Sequence, residues 1–167
     1  MAKSAMVEEI TQANREDSPI VAALETQLAN AFVLYANYKH YHWQTFGPLF
    51  RDLHKLFDEL AGGALETVDE LAERLRMIGQ DPPFRLSELE RRASIRTSSG
   101  TKNMRERVAE ADASEIQVIK ELRDAIKVAE DQDDPGSVDM LSKFVRIHEK
   151  NEWFLREILK KGDGLVA

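Results

Sequence analysis

Four long stretches of the chain repeat their apolar residues at helical spacing, and no comparable stretch keeps the alternation of a strand. The first opens at Ser18-Pro19, a cap residue followed by the proline that suits a first helical position. From there Val21, Leu28 and Tyr35 recur every seven residues with Leu24, Ala31 and Tyr38 between them, and His42 is the next term of the series. Gly47-Pro48 is expected to end this helix. A second helix is predicted over 49–78, with Leu53, Leu56, Leu60, Ala64, Leu71, Leu75 and Ile78 on one face, Gly79 as its stop and Gly62-Gly63 inside it as either a close approach by another backbone or a weak point. Ser87 and Glu90 have capping-box spacing and predict a short helix to about Arg92, followed by a loop over 94–101. Met104, Val108, Ala111, Glu115, Ile119, Leu122, Ile126 and Ala129 trace a third long helix. Asp134 then caps a fourth, with Pro135 at its first position and Val138, Leu141, Val145, His148, Leu155 and Leu159 inward. Short first and last connections and a long middle crossover with its own helix make an all-α, four-helix bundle.

Composition narrows the chemistry. A chain of 167 residues with 43% hydrophobic content can build one domain around a real core, and 8 Gly with 5 Pro leave few places to turn. We expect a tail over 1–17, the bundle over 18–162 and a short tail over 163–167. The absence of cysteine excludes disulfides, thiolate metal sites and thiol catalysis. The opening MAKSAMVEEITQ lacks the apolar run of a secretory signal, and no stretch reads as a bilayer span, so a cytoplasmic protein with no membrane partner is expected. A net charge of −7 favours cations over nucleic acid as partners.

Histidine and carboxylate together suit iron or zinc. The usual bundle-core centre needs Glu-x-x-His twice, yet the residues three before His40, His42, His54 and His148 are Asn37, Lys39, Arg51 and Val145. A different arrangement survives. His54, Asp58, Asp69 and Glu73 fall within about 100° of one another around the second helix. Fifteen residues separate His54 from Asp69, about 22 Å at 1.5 Å per residue, far beyond metal–ligand distances of about 2 Å. These residues can share a metal only if a second copy lies antiparallel across the first, His42 and His54 of one subunit meeting Asp69 and Glu73 of the other. Taken singly, each of them also reads as an ordinary surface or capping residue. Asp58 is expected either to orient an imidazole or to be a plain helix carboxylate. His40 points about 200° from His42 and is not expected to join it, and His148 reads as a satisfied core histidine. Trp43 and Trp153 read as packing residues, Trp43 also as a wall of the site able to intercept oxidising equivalents. Tyr35 and Tyr38 share the His42 stripe and are candidate walls. The acids Asp131, Asp133, Asp134 and Asp139 make a polar turn, or a cation funnel if copies meet at a symmetry axis.

The run Tyr41-His42-Trp43-Gln44, then Gly47-Pro48-x-Phe50, Leu53-His54, Phe57-Asp58 and Val68-Asp69-Glu70-Leu71-Ala72-Glu73-Arg74, resembles the signature of the Dps family of miniferritins. The likeness extends more loosely to Val138-Asp139-Met140-Leu141 and Trp153. It implies a ferritin-like four-helix bundle, a homo-dodecamer built from two-fold dimers, and ferroxidase centres made of His42 and His54 from one subunit and Asp69 and Glu73 from its neighbour. It further implies that Fe(II) is oxidised by hydrogen peroxide in preference to dioxygen, with zinc as a competing ion, and that the ferric product is stored as a mineral, limiting oxidative damage. Glu130, Asp134 and Asp139 would lie near an iron-entry pore, although Pro135 stands where an acid sometimes occurs. Many members bind DNA through lysine-rich extensions. Residues 1–17 carry two cations against four anions, so weak or absent DNA binding is expected. The competing readings are a DNA-compacting architectural protein with a secondary metal site, and a helical oligomerisation module without metal.

Overall fold

The computed structural model describes residues 18–98, 100 and 102–160. The expected tails over 1–17 and 163–167 lie outside them, as do Lys161 and Gly162. Five helices follow in order among the described residues: α1 Pro19–Trp43, α2 Phe50–Met77, α3 Leu86–Arg92, α4 Met104–Asp131 and α5 Pro135–Leu159. Helices α1 and α2 form one tight hairpin and α4 and α5 another; α1 packs on α4, and α3 in the crossover lies against α1. Leu24, Leu28, Leu34, Phe57, Leu71, Leu75, Leu122, Leu141 and Phe144 fill the space between the hairpins. The expected stripes are therefore the buried ones.

The helix ends follow local chemistry with two departures. Helix α1 starts at Pro19 as expected, but the Ser18 hydroxyl does not cap it and instead donates to Gln132 across the bundle at 2.9 Å. The short helix begins one residue before Ser87, so the expected capping box does not form. Arg85 holds the N-cap position and its carbonyl accepts from the N–H groups of Glu88 and Leu89. That register buries Leu89 and leaves Ser87 and Glu90 exposed. A capping box does form at α4, between Asn103 and Glu106. Helix α2 closes as expected, Gly79 taking φ +85 while the N–H groups of Gly79 and Gln80 return to Arg76 and Leu75. Helix α4 ends with the same pattern, but Asp133 adopts the left-handed position at φ 52, a conformation Asp tolerates better than most residues.

Helix α1 is apolar enough that an 18-residue window reaches a mean hydropathy of 1.2, a value the sequence reading passed over. Of that window, 56% is buried inside the protein. Buried Gln27, Asn30 and Asn37 punctuate it, and the two asparagines hold the crossover. Asn30 accepts from the N–H of Ser94 at 2.9 Å and donates to Glu121, while Asn37 accepts from Ser98 N–H at 2.8 Å and donates to the Arg96 carbonyl at 2.9 Å. Polar groups in a core are tolerated when paired in this way. Residues 94–98 of the crossover are thereby held against α1.

Candidate metal centre

The α1–α2 turn builds the histidine pair. The N–H of Gln44 closes the last turn of α1 on His40, Thr45 returns its hydroxyl to the Tyr41 carbonyl at 2.8 Å, and Gly47 takes φ +90. A side chain is disfavoured at that angle, so glycine is required where the chain reverses. His42 in the last turn of α1 then faces His54 in the second turn of α2, their ring centroids 3.7 Å apart and nearly parallel. Phe50 stacks on the other side of His54 at 5.1 Å.

The two rings fix each other. His42 Nδ1–H donates to the backbone carbonyl of His54 at 2.7 Å, and His54 Nδ1–H donates to the carbonyl of His42 at 3.0 Å. A carbonyl can only accept, so each Nδ1 carries a proton, and in the neutral ring each Nε2 is left with a lone pair for a ligand. Metal-binding histidines are commonly oriented by a hydrogen bond at the other ring nitrogen. Here the orienting groups are backbone atoms, which no side-chain substitution removes.

Asp58 has another partner. Its carboxylate takes the Lys39 ammonium at 2.7 Å and lies 4.0 Å from His42 Nδ1, too far to orient the ring. The Lys39 hydrogen bond and charge hold Asp58 below the usual carboxylate range. The expected imidazole-orienting role is thus taken by the backbone, and the Lys39 pairing is one the sequence reading did not foresee. Tyr38 does not wall the site. It is buried, with its hydroxyl on Glu115, because its register on α1 aims it between α4 and α5. Tyr35 faces the crossover, beside Phe32, Leu86 and Leu89. Trp43 is 68% exposed and Trp153 48%, so neither packs in this subunit's core, and Trp43 stands open beside His42.

Asp69 and Glu73 lie on the unbroken α2, exposed and with no hydrogen-bond or ion-pair partner among the described residues. The continuous helix keeps His54 and Asp69 about 22 Å apart. No cluster of three or more potential ligands gathers among the described residues of one chain. Of the acids near the α4–α5 turn, Glu130 and Asp139 are exposed. Asp134 is engaged: it caps α5 through Ser137 N–H at 3.0 Å, accepts the Ser137 hydroxyl at 2.6 Å and pairs with Arg74 of α2. Burial opposes its charge, but Ser137 and the Arg74 guanidinium outweigh that and keep its carboxyl below the usual range. Arg74 also lies so close to Gly136 that a Cβ there would meet the guanidinium at 2.9 Å.

His148 is a satisfied core histidine, as expected, bonded through Nδ1 to Glu115 at 2.6 Å. His40 contacts Arg107 at 3.3 Å, away from the pair. The sequence reading missed the network around Glu115. Glu115 and His148, both on inward stripes, were its signals.

Bundle, crossover helix and histidine pair define a class. Residues 21–165 match the family described as Ferritin-like domain. The DNA protection during starvation protein of Brevibacillus brevis is 34% identical over 84% of this chain and 95% of its own length. Among solved structures, Dps from Thermosynechococcus elongatus superposes with TM-score 0.86 at 36% identity over the whole of both chains. Dps from Vibrio cholerae O1, described as a member of a broad superfamily of ferritin-like diiron-carboxylate proteins, gives 0.81 at 29% identity, covering 84% of this chain and 89% of its own. The chain belongs to the Dps family.

Proposed function

We propose that this chain is a miniferritin subunit that oxidises Fe(II) at centres shared between two-fold-related copies and stores the ferric product inside a dodecameric cage. One observation carries the reading. The two imidazoles lock each other's Nδ1 and leave both Nε2 atoms for a ligand, while Asp69 and Glu73, without a partner among the described residues, stand about 22 and 28 Å along α2 from His54. An antiparallel copy brings its Asp69 and Glu73 to that histidine pair, and symmetry makes two such centres per dimer. Nitrogen and carboxylate oxygen are a donor set that iron accepts, and the diiron-carboxylate description of the Vibrio cholerae relative supports iron as the substrate.

Fe(II) gives up one electron and hydrogen peroxide accepts two, so a centre that gathers ferrous ions with peroxide as the preferred oxidant suits the chemistry. Zn(II) competes for the same donors and cannot be oxidised. Glu130 and Asp139 are the acids free to line an entry pore, whereas Asp134 is held by Arg74 and Ser137. The relatives' name refers to DNA. With a net charge of −7, protection of DNA by this chain runs through removal of Fe(II) and peroxide, not through direct binding.

The test is Fe(II) plus peroxide followed by the near-ultraviolet absorbance of ferric product. His42→Ala, His54→Ala and Asp69→Ala should each slow oxidation by at least about tenfold while assembly persists. Unchanged rates in all three would overturn the assignment.

A further inference from the structure

Behind the histidine pair lies a buried polar cluster that ligand binding does not use. Glu115 of α4 is fully enclosed and accepts hydrogen bonds from three donors: the Tyr38 hydroxyl of α1 and Asn151 Nδ2 of α5 at 3.1 Å on one oxygen, and His148 Nδ1 at 2.6 Å on the other. Tyr38 is itself buried, with Phe57 stacked at 6.4 Å, and Phe57 lies 5.3 Å from the Tyr41 ring. Phe57 is one turn beyond His54 on α2, and Tyr38 is one turn before His42 on α1. An aromatic cluster of Tyr41, Phe57 and Tyr38 therefore lies within about a turn of the two histidines along α1 and α2 and ends at a phenol with a carboxylate on its hydroxyl.

We propose that Tyr38 is a redox-active tyrosine that yields an electron to a one-electron oxidant arising near the histidine pair while its phenolic proton passes to Glu115. The oxidant is a hydroxyl radical from one-electron reduction of peroxide by Fe(II), or a surface aromatic such as Trp43 that this radical has oxidised. The O–H bond of Tyr38 breaks, the proton joins the Glu115 carboxylate, and the electron reduces the radical to hydroxide or restores the surface ring. A further Fe(II) then returns the electron and becomes Fe(III), and Glu115 returns the proton. The result is a phenoxyl radical held away from the protein surface until it is quenched.

Several features favour Tyr38 for this role. Burial, together with the neighbouring Glu115, holds its phenol well above the ordinary range, so the resting group stays protonated and gives up its proton only with the electron. The Glu115 carboxylate on the Tyr38 hydroxyl gives the departing proton a direct acceptor. The carboxylate at Tyr41 is already paired with a cation. The Tyr41 hydroxyl meets Glu110 at 2.8 Å, and although burial opposes the charge of Glu110, Lys102 and Ser98 outweigh it and keep that carboxyl below the usual range. The bland account, a polar staple joining α1, α4 and α5, requires no radical chemistry.

The physiological oxidant rests on the iron chemistry proposed above, but the test does not. The iron-free assembled protein is exposed to a photogenerated ruthenium(III) tris-bipyridine oxidant, frozen, and read by electron paramagnetic resonance. A tyrosyl signal is expected that falls severalfold in Tyr38→Phe, persists in Tyr41→Phe and also falls in Glu115→Gln, whose amide cannot take the proton. If Glu115→Gln fails to fold, slower radical formation by the wild type in deuterium oxide is the equivalent expected result. No tyrosyl signal, a signal undiminished in Tyr38→Phe, or one lost in Tyr41→Phe would overturn the proposal. A protein that oxidises Fe(II) but forms no Tyr38 radical contradicts this inference alone. A Tyr38 radical in a protein inert toward Fe(II) contradicts only the ferroxidase reading.

Discussion

Asp134 condenses the residue scale, because one carboxylate caps α5, pairs with Arg74 and so ties the second hairpin to α2. Asp134→Ala should lower stability by about 1–3 kcal/mol, from a lost cap and an Arg74 guanidinium that keeps Ser137 but loses its carboxylate. The pH dependence follows from a folded-state carboxyl below its ordinary value. Such a group stabilises the fold fully above the unfolded carboxylate range near about 4 and loses that contribution as pH falls through the lower folded value. Denaturant titrations should therefore show a gap between wild type and variant that is constant near neutrality and closes in acid. Sequence spacing already marked Asp134 as a cap and Pro135 as the first helical residue, since both are local choices. The Arg74 pairing is sixty positions distant and carried no local signal. His42 and His54 were legible as candidates for the same local reason. Their mutual backbone hydrogen bonds needed the hairpin geometry.

At the scale of one element, α2 carries the most consequence. His54, Asp58, Gly62, Leu65, Asp69 and Glu73 all fall within about 100° of one another on its surface. In the antiparallel pairing that sets His54 against Asp69 and Glu73 of a copy, the helices cross near the midpoint, which is Gly62. Leu65 on that face is 47% exposed, and a Cβ added at Gly62 would meet nothing within 4 Å in this subunit. The sequence left the glycine pair open between close approach by another backbone and a mere weak point, because a contact with a second chain leaves no periodic trace. The subunit should tolerate a side chain here and the dimer should not. Gly62→Leu is expected to keep its helical circular dichroism while shifting to monomer in sedimentation velocity and losing Fe(II) oxidation. An assembled, active Gly62→Leu protein would rule out a crossing at this point. Helix boundaries elsewhere were legible where a Gly, Pro or cap marked them. Ser87 misled because burial of Leu89 set the register of α3 one residue earlier than the capping pattern suggested.

For the whole molecule, the fold was legible because four amphipathic stripes with these connection lengths admit few packings. The proposed assembly had only an incompleteness as its sign in the sequence: donors on one face too far apart to meet. Charge acts at this scale too. At −7, a mobility shift with duplex DNA at physiological salt should give no complex at low micromolar protein, and tight, salt-sensitive binding would contradict that expectation. The sharing of the site between copies is tested most directly by complementation. One inactive chain carries His42→Ala and His54→Ala, and another carries Asp69→Ala and Glu73→Ala. Refolded together in equal amounts, they form mixed dimers in which one centre has lost every ligand and the other has kept all of them. Random pairing should restore about a quarter of the wild-type Fe(II) oxidation sites. If the mixture stays as inactive as its parents although mixed dimers form, the centre is not shared and the account is wrong.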